Sequence, residues 1–171
     1  MPQQIIRIGV LGRSHPPVNR WADRVLRPFA VVTDPVAAEP GALLGSVDGV
    51  ETRWLGEVSL LLHSGETGHY RDNLTAVQPS VWVAMDGDRV ALASIDPYEG
   101  EGLAGDPGRV VEAVPMPGAL LGSVTAFVDA HHVEEVFHKR KRAPADPDAL
   151  SARAPRILPP EERWENRRGK R

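Results

Sequence analysis

A group of histidines and glutamates near the end of the apolar part of the chain has the side-chain types that bind metals. The group comprises His131, His132, Glu134, Glu135 and His138. On a continuous helix, His131, one of the glutamates and His138 would share a face. The helical pattern ends at this point, however, and histidines in a last turn interact favourably with the helix dipole without any metal. We therefore expect no metal and no cofactor.

Paired carboxylates are a second feature that could support catalysis. Asp86 and Asp88 flank a glycine between two apolar runs, and Glu99 and Glu101 lie in a glycine-rich stretch. We interpret the first pair as residues of a hairpin turn and the second as residues of a loop. Neither pattern provides the separation of two pKa values that general acid–base catalysis requires. No serine has the Gly-x-Ser-x-Gly context of a nucleophile elbow, and no glycine-rich phosphate loop is present. The sequence therefore favours a protein without catalytic activity.

The charges divide the chain into two parts. Residues 1–138 contain 9 arginines, no lysine and 18 acidic residues, whereas residues 139–171 contain 11 basic and 5 acidic residues. The second part is also rich in proline and poor in apolar residues, a composition that cannot bury enough surface to offset chain entropy. We predict a globular acidic domain over 1–138 and a disordered basic tail over 139–171.

The apolar pattern of the first part predicts an α+β fold. Most stretches are short and β-branched, with an Asp-Gly hairpin signal between the fourth and fifth, and one long amphipathic helix follows. About six mostly antiparallel strands would form a small barrel or curled sheet, capped by a C-terminal helix and PH-like in outline; an open α+β sandwich is the alternative. The predicted strands are 4–11, 24–33, 54–63, 81–85, 89–95 and 109–114, with helices over 66–74 and 117–132 and loops over 34–49 and 97–108.

Composition excludes several classes of protein. The chain has no cysteine, so disulfides and thiolate ligands are impossible. No apolar run approaches the roughly 18 residues of a membrane helix, and the first residues do not have the pattern of a secretory signal. We expect a cytoplasmic protein that does not insert into a membrane.

The predicted tail carries two candidate binding features. The first is the basic run Lys139, Arg140, Lys141 and Arg142. Such a run can solubilise the chain, dock on an acidic protein surface or bind nucleic acid, and the acidic first part makes nucleic acid the least favoured of these. The second is Trp164, a lone aromatic residue after two prolines and two glutamates, which is either incidental or part of a short motif that orders on binding.

Several stretches together resemble an uncharacterised proteobacterial family that is typically encoded beside genes for molybdenum-dependent formate dehydrogenase. The resemblance covers roughly residues 5–142 and implies a role in making, inserting or regulating a molybdenum enzyme. Some members carry a molybdopterin-guanine dinucleotide label, but this chain has no glycine-rich nucleotide loop, so we reject that activity here. The stretches are Trp21-Ala22 with Arg27-Pro28, Glu66 to Leu74, Gln78 to Val83, Pro97 to Glu99, Val114 to Pro117, and Phe127 through the histidine pair to the basic run.

These stretches contain aromatic, arginine and amide side chains of the kind found in recognition surfaces. The candidate binding residues are Trp21, Arg27, Tyr70, Asn73, Tyr98 and Glu99. The large aromatic residues would serve equally well as core residues of an aromatic-poor domain.

We expect an accessory protein that binds a partner polypeptide, with a formate dehydrogenase subunit as the partner that the resemblance implies. The alternative is a protein that binds a molybdopterin-type cofactor through Arg27, Tyr70 or Asn73 in the mouth of a barrel. An enzyme would instead require a cavity that converges on His69, His131 and a carboxylate.

Overall fold

A computed structural model describes residues 1–17, 19–21, 24–34 and 36–134. In this part of the chain, seven strands and three α-helices are present, with one 3-10 turn between the fourth strand and the first helix. The strands are β1 (Gln3–Ser14), β2 (Leu26–Val32), β3 (Leu43–Val47), β4 (Val50–His63), β5 (Ser80–Asp86), β6 (Arg89–Ser94) and β7 (Val110–Pro115); the helices are α1 (Thr67–Leu74), α2 (Pro97–Ala104) and α3 (Gly118–His131), and the turn is Ser64–Glu66.

The strands form two antiparallel sheets. The four-stranded sheet has the order β2-β1-β4-β3, and the three-stranded sheet has the order β6-β5-β7. Strand β4 runs beside β6 and β2 runs beside β7, but the hydrogen-bonded ladders stop at both of these seams. The arrangement in the described residues is therefore a pair of sheets and not a closed barrel. The α+β class is confirmed, and the PH-like outline stays a prediction.

One core joins the two sheets and the last helix. Apolar side chains of β1, β4, β5 and β7 pack with the buried face of α3, which presents Leu120, Val124, Phe127 and Val128 at helical spacing. The predicted C-terminal helix is thus present and ends at His131. No helix in the ranges that the structure covers is long and apolar enough to cross a bilayer.

The sequence predicts a loop over 34–49, but the structure contains strand β3 in this segment. It forms a hairpin with β4 through Asp48 and Gly49, whose φ angles of 52° and 78° are both in the left-handed region. Two consecutive residues of this kind make the turn whose twist matches that of paired strands. The Asp-Gly pair was therefore an available hairpin signal, and β4 begins at Val50, earlier than expected.

Helix α2 was also predicted as a loop, because glycines at positions 100 and 102 disfavour a helix. Its start is nevertheless well specified. Asp96 accepts hydrogen bonds from the backbone N–H groups of Tyr98 and Glu99, and Pro97 occupies the first helical turn. These caps, together with packing against the second sheet, offset the poor helix propensity of the glycines.

Candidate functional site

Tyr70 lies on α1 and is 2% exposed. Its hydroxyl donates to Glu66 Oε2 at 2.9 Å and accepts from the backbone N–H of His63 at 3.1 Å. Burial raises the pKa of the phenol well above its usual value, and the Glu66 carboxylate raises it further, whereas the His63 hydrogen bond opposes this. Tyr70 is therefore a permanent donor that fixes the position of the Glu66 carboxylate.

Asn73, one helical turn further along, is 3% exposed and joins three elements. Its amide nitrogen donates to the carbonyl oxygens of Ser80 at 2.7 Å and Ile95 at 2.8 Å, and its amide oxygen accepts from the Ser80 N–H at 3.0 Å. Helix α1 is thereby attached to the start of β5 and to the end of β6. All of these contacts are within the protein, so Asn73 stabilises the walls around the site described below.

The start of α2 carries an ion-pair and aromatic cluster. Asp96 is 6% exposed and its Oδ2 lies 2.7 Å from His69 Nδ1. The ring of Tyr98 lies 4.6 Å from the His69 ring, and its hydroxyl is 3.4 Å from Asp72 Oδ2. Tyr98 is more than half exposed. This cluster therefore joins α1 to α2 and presents one aromatic face to solvent.

Beside this cluster, the seam between β4 and β6 opens into a cleft of about 350 Å³. Three carboxylates, Glu66, Asp96 and Glu99, contribute to its wall, and the basic side chain among its lining residues is that of His63. We call it the acidic cleft. Its lining residues are Ser59, Leu60, Leu61, His63, Glu66, Ala93, Ser94, Ile95, Asp96 and Glu99.

Hydrogen bonds hold the carboxylates of the acidic cleft in place. Ser94 Oγ donates to Glu99 Oε2 at 2.6 Å and accepts from the Asp96 N–H at 3.1 Å. His63 accepts at Nδ1 from the Gln3 side-chain amide at 3.1 Å. Each carboxylate keeps further acceptor capacity, since a carboxylate has about four lone-pair sites.

The wall formed by β4 is an open strand edge. Ser64 donates from its N–H to the carbonyl of Pro2, which fixes the alternation of the β1–β4 ladder. Along β4, every second residue from Ser64 is hydrogen-bonded to β1, and the residues between them are not. Ser59 and Leu61 belong to the second set, so their backbone N–H and C=O groups must point away from β1 and toward the cleft. No strand in the described residues pairs with this side of β4 at these positions.

The seam is closed at its other end. A β-carbon on Gly56 would lie 3.6 Å from Val90 Cγ1, so the Val90 side chain of β6 lies close to β4 there. The φ angle of Gly56 is +114°, which an L side chain rarely adopts. The cleft therefore lies on the His63 side of the point where Val90 approaches Gly56.

The second seam, between β2 and β7, carries Arg27. This side chain is exposed and forms an ion pair with Glu112 of β7. Arg27 is thus separated in the fold from Tyr70, Asn73, Tyr98 and Glu99, which lie around α1, α2 and the acidic cleft.

Strand β3 and the segment before β2 expose a second candidate surface, the hairpin edge. All five residues of β3 are exposed, and Leu43, Leu44 and Val47 retain 53%, 44% and 73% of their accessible surface. Arg24 donates to the carbonyl of Gly49 and pairs with Glu51 at 3.3 Å, which holds the segment before β2 against the β3–β4 turn. The apolar residues that flank Arg24 on this segment are Trp21, 81% exposed, and Val25, 51% exposed.

The histidine group singled out in the sequence has a structural role where it is described. His132 Nε2 accepts from Arg71 at 2.9 Å, and its Nδ1 lies 3.2 Å from Thr67 Oγ1, which joins α3 to α1. The His131 ring packs edge-on against Phe127 at 4.7 Å. Among the described residues, no group of three or more His, Asp or Glu side chains has a geometry that would hold a metal.

Several residues named from the sequence lie outside the described part of the chain. They are Glu135, His138, the basic run Lys139, Arg140, Lys141 and Arg142, and Trp164. Their binding roles stay predictions, as does the division of the chain at residue 138.

The sequence did not single out most of the residues that form these two surfaces. Of the cleft carboxylates it identified only Glu99, and it did not identify the apolar residues of β3. An Asp-Pro-x-Glu pattern at Asp96 was an available sign of a helix start. The closeness of β4 to β6 had no such sign, because 30 or more residues separate the residues of the two strands that line the cleft.

The comparisons with known proteins identify a family. The family model described as "Protein of unknown function (DUF3305)" matches residues 7–141, which is most of the chain. The chain therefore belongs to the DUF3305 family. Neither the curated proteins nor the solved structures contain a significant match to it.

Proposed function

We propose that this DUF3305 protein is a non-catalytic accessory protein that binds a partner polypeptide along the hairpin edge. The observation that supports this most directly is the apolar strand β3, whose outer edge no strand of the described residues covers. It is the outer strand of its sheet, and Leu43, Leu44 and Val47 are all substantially exposed. Proteins usually protect such an edge with charges, prolines or bulges, because its free N–H and C=O groups pair readily with another chain. Strand β3 contains no charged residue and no proline, and its pairing with β4 shifts register once, between Leu43 and Gly45.

The composition of this edge supports a binding role. None of the five residues of β3 is a lysine, arginine, aspartate or glutamate. Val25 and Trp21 are exposed apolar residues on the segment that Arg24 attaches to the β3–β4 turn, and tryptophan is enriched at interfaces. A partner strand would pair with the backbone of β3 while its side chains contact these apolar residues, which is the strand-addition mode of peptide recognition.

The resemblance to a family encoded beside formate dehydrogenase genes makes a formate dehydrogenase subunit the first partner to test. In this proposal the protein acts in the cytoplasm, during assembly or cofactor insertion of that enzyme. The basic run from Lys139 to Arg142 would add a second, weaker contact, since linking two modules raises the effective concentration of the second.

The alternative, a protein that binds a molybdopterin-type cofactor, receives less support. Such cofactors carry phosphate, and the acidic cleft would repel it. Tyr70 and Asn73 have their polar atoms bonded within the protein, and Arg27 is paired with Glu112 at a different seam. In the described part of the chain, the polar atoms of each of these candidate residues are therefore already engaged within the protein.

The test compares two single lysine substitutions at exposed valines. Val47→Lys places a charge on the edge strand, whereas Val77→Lys places the same charge on a fully exposed residue that follows α1. Both variants are expected to keep the wild-type unfolding midpoint. We expect the wild type and Val77→Lys to capture the same polypeptide from cytoplasm, identified by mass spectrometry, and Val47→Lys to lose it.

Purified formate dehydrogenase subunits then provide a direct measurement. Binding to one of them that Val47→Lys weakens and Val77→Lys does not would support the full proposal. Equal capture by all three proteins would remove the hairpin edge from the proposal.

A further inference from the structure

We infer that the acidic cleft is a second recognition site, which takes an extended segment carrying an arginine or lysine side chain as an added strand on β4. The inference rests on the proposed function for its class of ligand, a polypeptide. It adds a location, a backbone pairing mode and a required charge that the hairpin edge does not supply.

Backbone geometry is the first argument. The N–H and C=O groups of Ser59 and Leu61 point toward the cleft, and no strand of the described residues pairs with them there. An incoming extended segment would find donors and acceptors at the spacing of a ladder.

The shape of the seam is the second argument. The Val90 side chain of β6 lies close to Gly56 of β4, and the cleft lies further along the same seam, where residues within 59–63 and 93–96 line it. The open part, about 350 Å³, lies at the lower end of the range for ligand pockets. It suits a short stretch of chain with one long side chain, and it is too small for a large cofactor.

Charge complementarity selects the occupant. Glu66, Asp96 and Glu99 contribute to one wall, and neither lysine nor arginine is among the lining residues. Each carboxylate is already oriented by a donor from the protein, namely Tyr70, His69 and Ser94 respectively. Preoriented carboxylates of this kind bind a guanidinium or ammonium group through charge-assisted hydrogen bonds.

The test uses the purified full-length protein and synthetic peptides. The probe is a fluorescent peptide of alternating valine and arginine, and the matched control replaces arginine with citrulline, which has the same shape without the charge. A third peptide carries N-methyl groups on alternate residues, which removes the backbone donors that a ladder needs.

We expect the arginine peptide to bind, and the citrulline and N-methyl peptides to bind at least about tenfold more weakly. The affinity should fall as salt is added, because Glu66 and Glu99 are accessible to solvent. Hydrogen exchange should slow at the amides of Ser59 and Leu61 when the arginine peptide is present. Equal binding of the arginine and citrulline peptides would overturn the inference, as would equal binding of the N-methyl peptide.

Variants separate this site from the hairpin edge. Glu66→Gln and Glu99→Gln keep an acceptor for Tyr70 and Ser94 while removing the charge, so the double variant should fold and lose the arginine peptide. Val47→Lys should bind that peptide as the wild type does. If Val47→Lys lost binding of the arginine peptide and the double glutamine variant kept it, the peptide would bind at the hairpin edge. That result would refute the acidic cleft as its binding site. If Val47→Lys still captured the partner polypeptide and the peptides behaved as expected, only the role of the hairpin edge would be refuted.

Discussion

Gly100 of α2 lies directly against the indole ring of Trp82 on β5, so close that a β-carbon at position 100 would overlap the ring. The contact explains why a poor helix former occupies this position, and it sets how near α2 approaches the second sheet. Since Asp96 and Glu99 begin the same helix, the position of two cleft carboxylates depends on this glycine.

We predict that Gly100→Ala destabilises the protein by about 1–3 kcal/mol, the usual cost of overpacking, even though alanine is the better helix former. Gly102→Ala is the matched control, because no atom lies within 4 Å of a β-carbon at that position of the same helix. It should raise the free energy of unfolding by up to about 1 kcal/mol. Urea unfolding of both variants measures the difference, and equal effects would contradict the packing argument.

A second prediction concerns Asn73. Asn73→Ala removes three hydrogen bonds and leaves backbone groups of Ser80 and Ile95 unpaired. We expect a loss of about 2–4 kcal/mol in the free energy of unfolding, because unsatisfied buried groups keep their desolvation cost. Asp72→Ala, at an exposed position on the same helix, should change stability by less than about 0.5 kcal/mol. Similar values for the two variants would mean that the bonds of Asn73 contribute little.

The third prediction is a pH dependence that comes from Tyr70. Its pKa in the folded protein is raised above the ordinary value of 10.0, mainly by burial. The unfolded chain therefore loses this proton first as pH rises, so the stabilisation is complete below pH 10 and declines above it. Tyr70→Phe should reduce the steepness of the decline, measured by urea unfolding at several alkaline pH values.

The two tyrosines of the chain allow a direct check of that pKa. In the Tyr98→Phe protein, Tyr70 is the sole source of phenolate absorbance. This absorbance should appear only together with loss of the folded circular dichroism signal. If phenolate absorbance appeared near the pH at which a free tyrosine ionises, while the folded circular dichroism signal was intact, the burial argument would be contradicted.

The fourth prediction concerns the ion pair across the β2–β7 seam. The Arg27 side chain is 61% exposed and that of Glu112 is 31% exposed, so solvent screens their attraction. A double-mutant cycle with Arg27→Met and Glu112→Gln should give a coupling free energy of at most about 1 kcal/mol, smaller at high salt. A coupling free energy well above that value would indicate that the seam depends on this pair.

The positions of most elements follow from the local sequence. Alternating apolar residues predict strands, the Asp86-to-Arg89 turn predicts the β5–β6 hairpin, and the spacing from Leu120 to Val128 predicts α3. The sequence predicts loops at strand β3 and helix α2, because β3 lies in a segment rich in proline, alanine and glycine and α2 contains two glycines. The turn at Asp48 and the cap at Asp96 specify these two elements.

The sequence by itself determined the α+β class, the asymmetry of charge and the lack of a recognisable catalytic motif. Only the tertiary structure decided that the strands divide into two sheets, that β3 is an uncovered apolar edge and that three carboxylates meet in one cleft. The physical reason is that periodicity reports which side of an element is buried, whereas a cleft depends on which distant strands lie side by side. Glu66 and Asp96 are thirty residues apart, and only the packing of α1 and α2 beside the β4–β6 seam brings them together.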